Sequence, residues 1–195
     1  IATGDWDAIV MTHSTFERLG RSVAYTIRHI KTIIHDLEMA VRMSSSDDRS
    51  NRIVKQLERM KKAWKVRLDR LASEKKRDDF LSWEALGIDW VLYDEAHLAK
   101  NLWRHTKMAR IAGLPLANSQ RAFDLYLKTR HTMGLYRGQH RGVVLSTATP
   151  VANSMAEIHT FQRYLQPNTL EALGLEQFDA WAATFGETVT ALEIA

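Results

Sequence analysis

Cysteine is absent from the 195 residues, which excludes a disulfide framework and any thiolate metal site and fits a reducing interior. No apolar run is long enough to span a bilayer, and no signal-peptide pattern opens the chain. The expectation is therefore a cytoplasmic protein with no membrane partner. Internal repeats and low-complexity segments are missing as well, so nothing points to a stacked-repeat architecture. What is present is ordinary for a globular chain: 45% apolar and 26% charged residues, enough length for one domain with a real core.

Charge is uneven. The net charge is +4, yet from Arg49 to Arg77 twelve Lys/Arg stand against three Asp/Glu, a local net of +9 that leaves −5 for the remainder. Basic character confined to one segment suits either a polyanionic partner or a solvated helix face. Ile1 is not an initiator, and Thr188–Ala195 has no stop or tail character. The chain is expected to be an internal piece of a larger protein.

Asp7–Thr12 reads as a buried strand, followed by His13-Ser-Thr as a polar loop. Between Val23 and Val41 apolar residues recur at Ile27, Ile30, Ile34, Leu37 and Val41, steps of three and four that predict a helix with a narrow seam. Ser44-Ser-Ser-Asp-Asp48 breaks it, Ser50 is placed to cap the next helix, and the seam resumes at Ile53, Leu57, Met60, Trp64, Leu68 and Leu71. Two long helices around a short polar turn predict an antiparallel, coiled-coil-like hairpin. Its seam serves packing, and its basic residues occupy the other faces.

Leu81–Leu86 predicts a short helical turn closed by Gly87. Gly113-Leu-Pro115 breaks the chain, and Ser119 is placed to cap a helix from Gln120 to about Tyr136. Gly142–Ser146 reads as a short buried strand, with a helix from about Ser154 to Leu165 and a last one at Phe178–Phe185. Strands and helices alternating around a charged hairpin predict an α/β fold with a parallel sheet.

Trp90–Tyr93, four large residues without polar alternation, predict a strand buried on both faces. It ends in Asp94 and Glu95, at the edge where open α/β sheets bind ligands. Three chemistries could use these carboxylates. In one, Asp94 holds a hydrated Mg²⁺ on nucleotide phosphates while Glu95 orients or deprotonates a water. In another, Asp94, His97 and His105 bind a transition metal, although the helical histidine spacing is missing. In the third they act on a glycosidic bond, for which neighbouring carboxylates are badly separated. Both residues could also simply cap the following helix. A second marker, Ser146-Thr-Ala-Thr-Pro150, ends the other apolar strand and supplies hydroxyls at a neighbouring edge.

Asp94-Glu-Ala-His97 running on into Lys100-Asn101, with Ser146-Thr-Ala-Thr-Pro150 and Asn153, resembles motifs II and III of superfamily 2 helicases, most closely the Snf2-like branch. Ser154–Glu157 to Tyr164–Pro167 is similar to the helix after motif III in that branch. Asp5–His13 resembles its motif Ib. Together with Phe178–Glu187 the pattern is similar to large helicase–methylase proteins of phages and mobile elements. Ala148 departs from the Snf2 pattern, which usually has glycine there, and agrees with the wider superfamily.

The resemblance implies a partial RecA-like parallel sheet flanked by helices, residues 1–22 and 80–195, with the basic hairpin 23–79 inserted. It implies an ATP-dependent DNA helicase or translocase with ATP and Mg²⁺ as cofactors. Asp94 would hold Mg²⁺ through water and Glu95 would position the hydrolytic water. His97 would contact the motif III turn, where Ser146, Thr147, Ala148 and Thr149 couple nucleotide state to nucleic-acid grip. Thr12, His13 and Lys100 would lie toward nucleic acid. On the hairpin, Arg52, Lys55, Arg59, Lys62 and Lys65 are the residues expected to hold duplex phosphates; docking of another domain is the competing use.

No Gly-x-x-x-x-Gly-Lys-Ser/Thr occurs in the sequence. Without that loop no backbone nest or lysine cradles the outer phosphates. An upstream phosphate-loop segment and a second RecA-like lobe are the expected partners within the same parent protein, and the isolated chain is expected to hydrolyse ATP weakly or not at all. The alternative is a non-catalytic nucleic-acid-binding or interaction module built on the hairpin.

Overall fold

The order of elements in the computed structural model is α1 (His13–Arg18), α2 (Val23–Ser44), α3 (Ser50–Ser73), a 3-10 turn (Trp83–Leu86), β1 (Val91–Tyr93), a second 3-10 turn (Ala96–Ala99), α4 (Gln120–Gly134), β2 (Val143–Leu145), α5 (Ala156–Leu165), α6 (Pro167–Ala172) and α7 (Phe178–Phe185). The described residues are 4–44, 50–73, 82–104, 106, 119–137, 139–152 and 154–187. They form a mostly helical α/β arrangement around a two-stranded parallel sheet. Gly113–Pro115, Asn153, Ser45–Asp48 of the hairpin turn, Thr188–Ala195 and the side chain of Arg52 lie outside the described residues.

Local chemistry sets the helix ends. Thr12 caps α1, its Oγ1 accepting from the Thr15 amide at 3.3 Å. Ser119 caps α4 through the Ala122 amide at 3.4 Å, at the position read from the sequence. The Trp83–Leu86 turn closes on Gly87 at φ 70°, a left-handed conformation that glycine adopts without a Cβ penalty. Ser50 is the first residue of α3 rather than a cap before it. Pattern reading passed over α6, a six-residue helix with Pro167 in its first turn.

α2 and α3 pack against each other along the expected seam: Ile30, Ile33, Ile34, Leu37, Leu57 and Trp64 are buried. That seam continues into the rest of the molecule. Trp64 meets the rings of Phe123 at 5.1 Å and Trp103 at 5.8 Å, and the same core cluster takes in Trp83, Val91, Tyr93 and Tyr164. A smaller cluster, Ala156, Leu170, Leu175, Phe178 and Trp181, lies among α5, α6 and α7.

β1 and β2 pair in parallel, Val91 with Val143, Leu92 with Val144 and Tyr93 with Leu145. Neither strand is buried on both faces, which corrects the sequence expectation. Val91 and Tyr93 face the core, whereas Leu92 is 77% exposed and its partner Val144 45%. Successive side chains point to opposite sides of a strand, and among the described residues only one side is covered. Asp7–Thr12 is a second correction: it forms no strand, and Val10 is 98% exposed. A strand satisfies its backbone only through a neighbour, and no described strand pairs with this segment. His13, expected in a loop, opens α1 because Thr12 caps it.

Candidate functional site

The parallel register ends both strands at the same level, so the residues that follow, Asp94 and Ser146, are neighbours. The Ser146 amide donates to the Tyr93 carbonyl at 2.9 Å and the Ala96 amide donates to the Ser146 carbonyl at 2.8 Å, extending the pairing one step past the strands. The Asp94 carboxylate is exposed. It accepts from the Glu95 amide and from the Ser146 side chain, and these bonds, with the nearby His13, hold its pKa below the ordinary aspartate value. It is a ready anion at the sheet edge.

His13 is one of the candidate nucleic-acid contacts. Its Nε2 lies 2.9 Å from the Asp94 carbonyl, to which it donates, and its ring sits 4.7 Å from that of Tyr93. Thr12, exposed beside it, also approaches the Ser14 hydroxyl at 3.0 Å. Sequence reading missed the direct tie between His13 and Asp94, because 81 residues separate them.

Glu95 has φ 50°, a left-handed conformation rare outside glycine, so the chain turns sharply between the two carboxylates. The Glu95 carboxylate stands 3.1 Å from His97 Nδ1, and Thr147 Oγ1 stands 3.4 Å from the same nitrogen. The Thr149 amide donates to Thr147 Oγ1 at 3.2 Å, folding the turn back on itself, while Ala148 and Thr149 face solvent. Asp94, Glu95, His97, Ser146 and Thr147 thus form one hydrogen-bonded group.

Lys100 points inward. Its ammonium pairs with Glu157 at 3.0 Å, and Glu157, buried, also accepts from the Ala152 amide at 2.7 Å. The loop after Asp94 is thereby tied to the approach to α5. The Tyr164 hydroxyl, 2.9 Å from the carbonyls of both Ala99 and Ala122, ties α5 to the same loop and to α4. No sequence motif signals that role. On α3, Lys55, Arg59, Lys62 and Lys65 are exposed, and Lys65 reaches Glu38 of α2 at 3.3 Å.

Among the described residues no group of three His, Asp or Glu side chains stands close enough to hold a metal directly. His97, a candidate transition-metal ligand, has its Nδ1 engaged by Glu95 and Thr147. One exposed, ionised carboxylate suits Mg²⁺, which keeps several of its waters and needs only one or two protein oxygens. Among the described residues no helix is long and apolar enough to cross a membrane.

Residues 1–195 match a family described as a probable helicase domain, and the chain belongs to that family. A relative from Escherichia phage P1, "Defense against restriction protein B", is 26% identical over 194 residues, covering 96% of this chain and 8% of that protein. The chain therefore corresponds to a small part of that relative's length. No solved structure matches it.

Proposed function

We propose that this helicase-family chain is part of the first motor lobe of an ATP-dependent DNA translocase of the Snf2-like kind, with residues 1–22 and 80–195 forming a partial RecA-like unit and the 23–79 hairpin inserted into it. The observation that carries this reading is the junction of Asp94–His97 with Ser146–Thr147 at the ends of two parallel strands. Two segments 49 residues apart in sequence come together at one sheet edge, which supports this reading.

In this reading Asp94 holds a hydrated Mg²⁺, which neutralises phosphate charge when bound with ATP. Glu95 orients and deprotonates the attacking water. Its carboxylate rests against His97, so the base is positioned by the imidazole that also meets Thr147. Ser146 bonds Asp94 directly, so movement of the Ser146–Thr149 turn shifts the carboxylate that carries the metal. That is a physical route for coupling. Thr12, His13 and the exposed basic residues of α3 are the proposed DNA contacts, and the proposed cradle for the outer phosphates is an upstream phosphate loop with arginines of a second lobe in the parent protein.

The test is phosphate release. Glu95→Gln in the full-length parent is expected to lower Mg²⁺-dependent, DNA-stimulated turnover by about 100-fold or more while ATP binding persists. The isolated 195 residues are expected to turn over weakly or not at all. Full turnover by the Glu95→Gln parent would overturn the assignment, leaving a nucleic-acid-binding module centred on α3 as the better reading.

A further inference from the structure

A cavity of about 380 Å³ opens between α2, α4, α5 and the stretch from Pro167 to Phe178, and none of the Asp94 group lines it. That is room for a small organic molecule. Arg104, Arg130 and Arg163 line the cavity. Arg163 donates to the Trp103 carbonyl and stacks 4.4 Å over the Trp103 ring, deep enough that burial pushes its pKa down. The Arg163 guanidinium is half-buried and lines the cavity, where an anion can reach it.

His159 supplies the second observation. Its side chain lines the cavity and is 1% exposed. Nε2 donates to the Leu175 carbonyl at 3.3 Å, which leaves Nδ1 an acceptor, and among the described residues Nδ1 makes no hydrogen bond. A buried acceptor in that state favours a ligand bearing a hydroxyl or N–H. The lining also contains Asp36, Glu171 and Glu176, and Glu171 and Asp36 both act electrostatically on Glu176. These carboxylates oppose a ligand that brings more negative charge than a phosphate monoester.

We propose that this cavity binds a small phosphate monoester, its oxyanion seated on Arg130 and Arg163 and a hydroxyl or N–H of its organic part donated to His159 Nδ1, with Asp36, Glu171 and Glu176 excluding polyphosphates. Guanidinium forks match phosphate oxygens in pairs, and two or three of them suit a dianion better than a single carboxylate. The proposal is independent of the nucleotide reading at Asp94.

Calorimetric titration of the protein with 2-aminoethyl phosphate, β-alanine and tripolyphosphate tests it. 2-Aminoethyl phosphate is expected to saturate one site and to bind at least about tenfold more tightly than the other two. Arg130→Gln, with its fold checked by circular dichroism, is expected to weaken that binding by about tenfold or more. Glu176→Gln is expected to narrow the preference over tripolyphosphate by about threefold or more, and it decides the matter should Arg130→Gln not fold. Absence of saturable 2-aminoethyl phosphate binding, equal binding of β-alanine, or affinity unmoved by either substitution in a folded variant would overturn the proposal.

Discussion

Lys128 has no exposed side-chain surface, and its ammonium is shared between the Asp124 carboxylate at 2.8 Å and the Phe16 carbonyl. Arg21 reaches the other oxygen of Asp124 at 3.1 Å. Burial dominates both partners: it lowers the Lys128 pKa and raises that of Asp124 against their mutual attraction. Such a pair adds little net stability, and without Lys128 the buried Asp124 keeps only Arg21 while the Phe16 carbonyl loses its donor. Lys128→Ala is therefore expected to destabilise the fold by about 1–3 kcal/mol in urea denaturation. It should also loosen α1, whose Phe16 carbonyl Lys128 holds. His159 sets the acid limit at the same scale. Burial first, and then Arg163 and Arg104, push its pKa down to about 4 from 6.5. Below pH 6.5 the unfolded chain takes up a proton that the folded chain refuses, so this contribution is complete above 6.5 and is lost as pH falls toward 4. At about 1.4 kcal/mol per pKa unit it amounts to about 3 kcal/mol. Thermal melts at pH 7 and pH 5 are expected to show a larger fall in Tm for the native chain than for His159→Gln.

Among the elements, α2 and α3 show how well a helical period can be read. Apolar residues every three or four positions define a face within the helix itself, so the seam through Ile30, Ile34, Leu37, Leu57 and Trp64 was legible without knowing what covers it. The caps at Ser119 and Gly87 were legible for the same local reason. Strand burial was not. Trp90–Tyr93 has the composition of a central strand, but whether Leu92 is covered depends on elements remote in sequence, and it is exposed. The exposed face of α3 carries the prediction at this scale. If Lys55, Arg59 and Lys62 contact phosphates, each releases counterions on binding. Replacing Lys55 and Lys62 by alanine is then expected to weaken DNA binding across sequences and to reduce the slope of log K against log salt by about 2. An unchanged slope in filter-binding titrations would assign that face to another partner.

For the molecule as a whole, the decisive event is the parallel pairing that delivers Ser146 to Asp94. Gly142 makes it possible. It sits at φ 86°, and its carbonyl accepts the Val91 amide at 2.8 Å to start the ladder. A Cβ there would come within 2.7 Å of Tyr136 Cε2 and 2.9 Å of the Asp89 carbonyl oxygen. Gly142→Ala is expected to cost about 1–3 kcal/mol in chemical denaturation. Any shift of β2 should separate Ser146 from Asp94 and let the Asp94 pKa rise, which carbon-detected NMR titration of the carboxylate can follow.

The amino-acid sequence by itself determined the two carboxylates after an apolar run, the hydroxyl-rich turn after a second run, and the helix seams and caps. Each is a local pattern whose physical meaning is complete within a few residues. Tertiary structure alone decided that His13 bonds the Asp94 carbonyl, that Lys100 turns inward to Glu157, that Asp7–Thr12 stays out of the sheet, and that three arginines line one cavity with His159. Those outcomes depend on which distant segments meet and how much water remains between them, and no local period encodes either.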